Sequence, residues 1–194
     1  MSRAAIHAAL FRRALAALFV GLVGLVGVAG IAGVAGVGVV PPAVAADHVV
    51  VLQYHHVHPG TPASTSVTPE RFAAHLEHLD DAGFRVASLP EVLAALARGE
   101  QIPDSTVCLT ADDGYANLRT EALPLLQRYG WPMTVFVCTE QVDTGRPLHL
   151  GWDDLRALQR EGWTIASHGT THDHLVARRD GESEAAWRQR VRAN

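Results

Sequence analysis

Residues 106–115 read Thr-Val-Cys-Leu-Thr-Ala-Asp-Asp-Gly-Tyr. An apolar run over 106–109 leads into Thr110-Ala111-Asp112-Asp113-Gly114-Tyr115, so a predicted β-strand delivers two adjacent carboxylates to its C-terminal end. A second segment repeats the pattern with imidazoles. Residues 163–166 are strand-like, and Ser167-His168-Gly169-Thr170-Thr171-His172 follows them. Zinc accepts carboxylate and imidazole ligands and keeps a position open for water or substrate in catalytic sites. His168 and His172, four residues apart, can address one ion from a helical turn or a tight loop, and one aspartate completes a three-ligand set. Two adjacent aspartates do not easily face the same ion, so the other is left as an ionised base for the attacking water. Singly, Asp-Asp-Gly reads as a turn or cap, and two histidines at this spacing as a solvated face. Their joint placement after two strands points to a metal-assisted hydrolase.

Outward from these strands, the chain alternates β and α. Residues 48–53 form a β-branched apolar run, hence a buried strand, and 58–67 a polar loop. Thr68-Pro69-Glu70 opens a helix that carries Phe72, Ala73, Leu76 and Leu79 and stops at Gly83. A strand is predicted over 84–87. Ser88 and Glu91 read as a capping box for a helix with Val92, Leu93 and Leu96 on its face, ended by Gly99. The third strand covers 106–110. A helix over 117–129 is expected to kink at Pro124. A strand over 133–138, a helix over 152–161, a strand over 163–166 and an amphipathic helix over 184–191 follow. Such alternation implies parallel strands in βαβ units. Five strands without an evident edge solution suggest a partial (β/α) barrel, with an open doubly wound sheet as the alternative. In either fold the C-terminal strand ends carry the active site.

The ends and the composition narrow the function. Residues 1–46 begin with Arg3, Arg12 and Arg13, continue without charge from Ala14, and close on Pro-Pro-Ala-Val-Ala-Ala. This reads as a secretory signal peptide, with a retained membrane anchor as the alternative. Either way residues 47–194 are exported, to the periplasm, the cell surface or the medium. Membrane contact is then expected only through an uncleaved N-terminal segment. Residues 47–194 hold 13 arginines against 20 carboxylates, a formal charge of −7, with no basic stripe. That argues against a nucleic-acid partner. Cys108 and Cys138 lie in apolar strand-like runs and read as buried thiols, with a disulfide open if their strands are neighbours.

The two motifs resemble the signatures of the polysaccharide deacetylases, the NodB-homology group of carbohydrate esterases. Thr110-Ala111-Asp112-Asp113-Gly114 is similar to their T-F-D-D-G, with Ala111 in place of phenylalanine, and Ser167–His172 fits their histidine motif. The resemblance implies that Asp112 is the general base and that Asp113, His168 and His172 hold a divalent metal. One oxygen and two nitrogens suit zinc, and cobalt, nickel or iron fit the same donors. The opening Gln53-Tyr54-His55-His56-Val57 resembles the exported poly-β-1,6-N-acetylglucosamine deacetylases, and by that resemblance His55 is the general acid.

The expected function is removal of N-acetyl groups from an N-acetylglucosamine-containing extracellular polysaccharide, with release of acetate. Tyr115 and Trp152 are candidate sugar-stacking residues. Peptidoglycan, chitin or O-acetylated xylan as substrate, a non-catalytic polysaccharide-binding module, and a glycoside hydrolase are the alternatives. The family's later signatures, an orienting arginine and an aromatic-Pro-Tyr-Gly strand, have no counterpart before Asn194. The expectation is therefore of a domain truncated after its last helix, folding poorly or acting weakly alone.

Overall fold

The computed structural model describes residues 45–46 and 48–194. The leader reading of residues 1–46 lies outside them, apart from the backbone of Ala45–Ala46 (β1), which pairs antiparallel with Ile102–Pro103 (β6). The other strands are Val50–Tyr54 (β2), His56–Val57 (β3), Ser66–Val67 (β4), Arg85–Val86 (β5), Thr106–Ala111 (β7), Thr134–Val137 (β8) and Thr164–Ser167 (β9). The helices are Pro69–Asp81 (α1), Leu89–Ala97 (α2), Leu123–Gln127 (α3), Thr139–Asp143 (α4), Trp152–Arg160 (α5) and Glu184–Ala193 (α6).

Strand β7 organises the main sheet. All six of its residues are buried, as expected of a strand covered on both faces. It pairs in parallel with β2, β5 and β8, and β8 pairs in parallel with β9. The α/β class with a parallel sheet is therefore present. The sheet runs β2-β7-β8-β9 and stays open between β2 and β9 among the described residues.

Local chemistry explains the helices. In α1, Thr68 caps by accepting the Arg71 N–H at 3.3 Å, Pro69 takes the first position, and Gly83 exits with φ of 73°. Phe72, Leu76 and Leu79 lie on one face of α1 and belong to the same buried core cluster as Leu109, Val135 and Leu158. Burial of Phe72 and Leu76 contributes about 1.5–3 kcal/mol each. Ser88 does occupy the N-cap of α2, but its hydroxyl makes no capping bond, so the predicted box does not form. Val92 of α2 is buried while Leu93 is 54% exposed. At about 100° per residue Leu93 lies 100° around the helix from Val92, at the solvent edge of the face that Val92 centres.

Three further expectations change in the structure. The helix expected over 117–129 is present and continuous to Gln127, but its first part, Leu118–Ala122, is a π-helical turn that runs directly into α3 at Leu123. Pro124 has no N–H and its ring crowds the carbonyl four residues back, which favours the wider turn ahead of it. The 58–67 loop contains β4, which pairs with β3. The short helix α4 carries too little periodicity to be read from sequence. Cys108 and Cys138 are both buried and free. Their strands do adjoin, but Thr110 pairs with Thr134. In that register Cys108 is offset from Cys138 by six residues, roughly 20 Å along the strand.

Candidate metal centre

The strand ends bring the motifs together. β2, β7 and β9 are parallel members of one sheet, and the residues following Tyr54, Ala111 and Ser167 emerge at the same edge. The Asp112 N–H bonds the Tyr54 carbonyl at 2.9 Å, which extends the β2–β7 ladder up to the carboxylate pair. Asp113 and Gly114 then take φ of 66° and 68°, two successive left-handed residues that turn the chain sharply. A Cβ on Gly114 would lie 2.8 Å from Val137 Cγ1, so this position requires glycine on two grounds.

The histidine loop is held from three sides. The His168 N–H bonds the Val137 carbonyl at 2.8 Å, continuing the β8–β9 pairing. Two amides at the start of α4, Thr139 and Glu140, donate to the carbonyls of Gly169 and Thr170 at 3.3 and 3.0 Å. Asn194 Oδ1 accepts from the N–H groups of Thr170 and Thr171, at 3.1 and 2.8 Å. His168 and His172 thus share a tight loop and not a helical turn, and His172 has φ of 59°.

Asp113 Oδ1 lies 3.5 Å from His168 Nε2 and 3.3 Å from His172 Nε2. Ligands about 2.0–2.2 Å from a tetrahedral zinc stand about 3.4 Å apart, so the observed edges suit such an ion. Asp113 Oδ1 is also buried without a hydrogen-bond partner. An orphaned buried carboxylate oxygen costs more than the 1–3 kcal/mol of a neutral group. A cation among the three donors satisfies it. The chemistry of the donor set and this orphan atom both fit a divalent metal.

Asp112 stands beside this cluster and outside it. Its Oδ2 accepts a hydrogen bond from Gln53 Nε2, and lies 4.0 Å from His55 Nε2 and 3.9 Å from His168 Nε2. Gln53 was not singled out in the sequence. The signal was present, because it stands two residues before His55 and period-two alternation puts both on one side of the chain. His56 is buried and has a different task. The Val57 N–H donates to Asn117 Oδ1, which turns the Asn117 amide so that its Nδ2 donates to His56 Nδ1 at 3.0 Å. His56 is therefore the neutral tautomer with its proton on Nε2, in keeping with a pKa lowered by burial.

Tyr115 stacks on His56 with ring centroids 3.5 Å apart and tilts against His149 at 4.8 Å. One of its faces is thus occupied. Burial, and then the negative charge of Asp113, push the Tyr115 phenol up. A cleft of about 590 Å³ runs from Asp113 and His172 past Tyr115 to Arg146, Leu148 and His149. Trp152 does not line it; its indole N–H bonds Asp143 Oδ1 at 2.9 Å at the start of α5. A larger groove of about 650 Å³ lies along the exposed β2 edge among Val50, Val51, His75 and Phe84, with none of the metal donors in it.

Beyond His172 the chain is fastened to α6 by Arg190. Its guanidinium forms a two-pronged pair with Glu182 at 2.8 Å on each prong, and bonds Asp173 Oδ2 at 2.8 Å. The Arg190 hydrogen bonds hold the Glu182 carboxyl down at about 2. Since the folded value lies below the ordinary 4.5, this pair stabilises the fold above pH 4.5, and that stability is lost as pH falls toward 2. The stability difference between wild type and Glu182→Gln, from urea melts, is expected to be full at pH 7 and to vanish across that window.

Comparison with known proteins agrees with this geometry. Residues 99–193 match the family described as Polysaccharide deacetylase. YxkH of Bacillus subtilis (strain 168) is 30% identical over 125 residues, covering 64% of this chain and 43% of YxkH. The poly-β-1,6-N-acetyl-D-glucosamine N-deacetylase of Escherichia coli (strain K12) is 34% identical over 80 residues, covering 41% of this chain and 11% of that protein. The structure of the Streptococcus pyogenes deacetylase PplD in complex with acetate superposes with a TM-score of 0.61 at 26% identity, over 68% of this chain and 60% of that one. The chain spans less than half the length of these curated relatives.

Proposed function

This chain carries a polysaccharide deacetylase domain, and on that premise we propose that it is a metal-dependent hydrolase removing N-acetyl groups from an N-acetylglucosamine-containing polysaccharide outside the cell. The observation that carries the reading is the buried, partnerless Asp113 Oδ1 facing two imidazole nitrogens, with a second carboxylate alongside. The Escherichia coli relative supports the choice of polymer. Export rests on the composition of residues 1–46; among the described residues no helix is long and apolar enough to cross a membrane.

Asp113, His168 and His172 would hold the cation, zinc being the best match to one carboxylate and two imidazoles. When bound, it supplies Lewis-acid polarisation and acidifies water. Asp112 takes the proton from the attacking water. Gln53 fixes the Asp112 Oδ2 by its hydrogen bond, which preserves the aim of the carboxylate. As water's oxygen bonds the acetyl carbon and the C–N bond breaks, the protonated His55 imidazole delivers a proton to the departing amine. Acetate and a free glucosamine amine result.

The test is acetate release from an acetylated β-1,6-glucosamine oligomer. We expect release with zinc or cobalt, its loss with a chelator, and its return on adding metal. Release that is indifferent to chelator, or chain cleavage without acetate, sinks the proposal.

A further inference from the structure

The cleft wall opposite the histidine loop holds an unusual turn. Arg146, Pro147, Leu148 and His149 are closed by the His149 N–H on the Arg146 carbonyl at 3.2 Å. Proline occupies the second position and Leu148 the third, with φ of 68°. This is the pattern of a type II turn, whose third position ordinarily calls for glycine or asparagine. Leucine accepts backbone strain there and recovers nothing by burial, since it is 76% exposed.

The strained residue is nonetheless held rigidly. The Leu148 carbonyl accepts the Ala116 N–H at 2.8 Å, and the Leu150 N–H bonds the Gly114 carbonyl at 2.8 Å. Two backbone bonds thus tie Leu148 to the segment that begins at Asp113. Among the described large apolar residues that are exposed, only Leu148 lines the cleft shared by Asp113, His172 and Tyr115. Strain kept at a rigid, exposed position beside a reactive centre marks a binding contact more often than a folding one.

We propose that Leu148 is a specificity-determining residue that packs its side chain against the apolar C–H face of a pyranose ring of the polymer, with Tyr115 and His149 completing the shelf. The inference rests on the carbohydrate reading above. Leu148 touches neither the proton path nor the cation, so its removal acts on polymer binding and leaves the hydrolytic centre intact.

Leu148→Gly and Leu148→Asn suit the left-handed backbone and remove the contact. We expect neither to lower the unfolding temperature. Burying a leucine is worth at least about tenfold in affinity. Both variants should therefore weaken oligomer binding by about tenfold, read by calorimetry and as a raised KM with kcat kept. Hydrolysis of a small acetyl ester should be unchanged, and Leu148→Met should restore oligomer binding. Unaltered oligomer affinity in the glycine and asparagine variants overturns the proposal, as does an equal fall on the small ester. If the wild type binds the oligomer and releases no acetate, the catalytic reading fails while the calorimetry still decides the role of Leu148.

Discussion

Asp112→Asn is expected to lower kcat for acetate release by about 10²–10⁴-fold, the range that a positioned proton-transfer group contributes. Asparagine is nearly isosteric. Its Oδ1 can still accept from Gln53 Nε2, and the bond from the residue-112 N–H to the Tyr54 carbonyl is untouched. The architecture of the strand end should survive, and only proton acceptance is lost. Bound metal, measured by elemental analysis, should stay at the wild-type ratio, because the donors that converge are Asp113, His168 and His172. The two readouts together identify the role. A loss of rate accompanied by loss of metal makes Asp112 a ligand. An unchanged rate means the proton goes elsewhere. His55→Ala should also slow the reaction, and the double variant should lose less than the product of the two single effects if both serve one proton path.

Much of this centre was legible because the chemistry sits at strand ends. β7 announces itself by the apolar run over 106–109, and the two signatures follow directly on the strand-like segments that become β7 and β9. Parallel pairing then carries Asp113, His168 and His172 to one edge without a long-range guess. Hidden from the sequence were features set by tertiary contact. Pro124 signals a disturbed helix in the sequence, but not that the disturbance takes the form of a π-helical turn over Leu118–Ala122, where Leu118 and Ala122 are buried. Tyr115 does line the cleft, but the sequence did not show that one of its faces is taken by His56, which is fixed by Asn117, 61 residues away from it in the chain. Trp152, at the start of α5, is 42% exposed, but its indole N–H bonds Asp143 at the end of α4 and it does not line the cleft beside Asp113. The capping box at Ser88 failed for a related reason, since a cap signature states what a side chain can do and not which rotamer packing selects.

Backbone strain follows the same map. Of the four non-glycine residues with positive φ among the described residues, three lie here, Asp113 and His172 of the proposed metal donors and Leu148 in the cleft wall; the fourth, Ser105, precedes β7. Such conformations cost about 1–3 kcal/mol each and persist only where surrounding bonds over-determine them. Those bonds are visible here: Leu150 to the Gly114 carbonyl, and Asn194 to Thr170 and Thr171. The site therefore stands as a rigid frame before any ion arrives, which favours tight binding by sparing the cost of ordering its loops.

That rigidity shapes the second large effect, at Asp113. Loss of a residue that merely orients a ligand costs about 10–100-fold in metal affinity, so removal of a ligand itself should cost more. Asp113→Ala is expected to abolish measurable zinc binding and, with it, acetate release. Stability offers an independent readout. If zinc binds the folded wild type through a site that the unfolded chain lacks, as proposed, the unfolding temperature should climb with zinc concentration by mass action. Asp113→Ala should show no such climb. Alanine at φ near 66° retains the strain, whereas asparagine tolerates it. Asp113→Asn in metal-free buffer should therefore be no less stable than metal-free wild type, because it also replaces a buried charged oxygen that accepts no hydrogen bond by a neutral one. A metal-free Asp113→Asn protein that unfolds well below wild type would mean that the carboxylate has a stabilising partner of its own. A zinc-dependent rise that persists in Asp113→Ala would locate the ion elsewhere, and the three-donor centre would have to be abandoned.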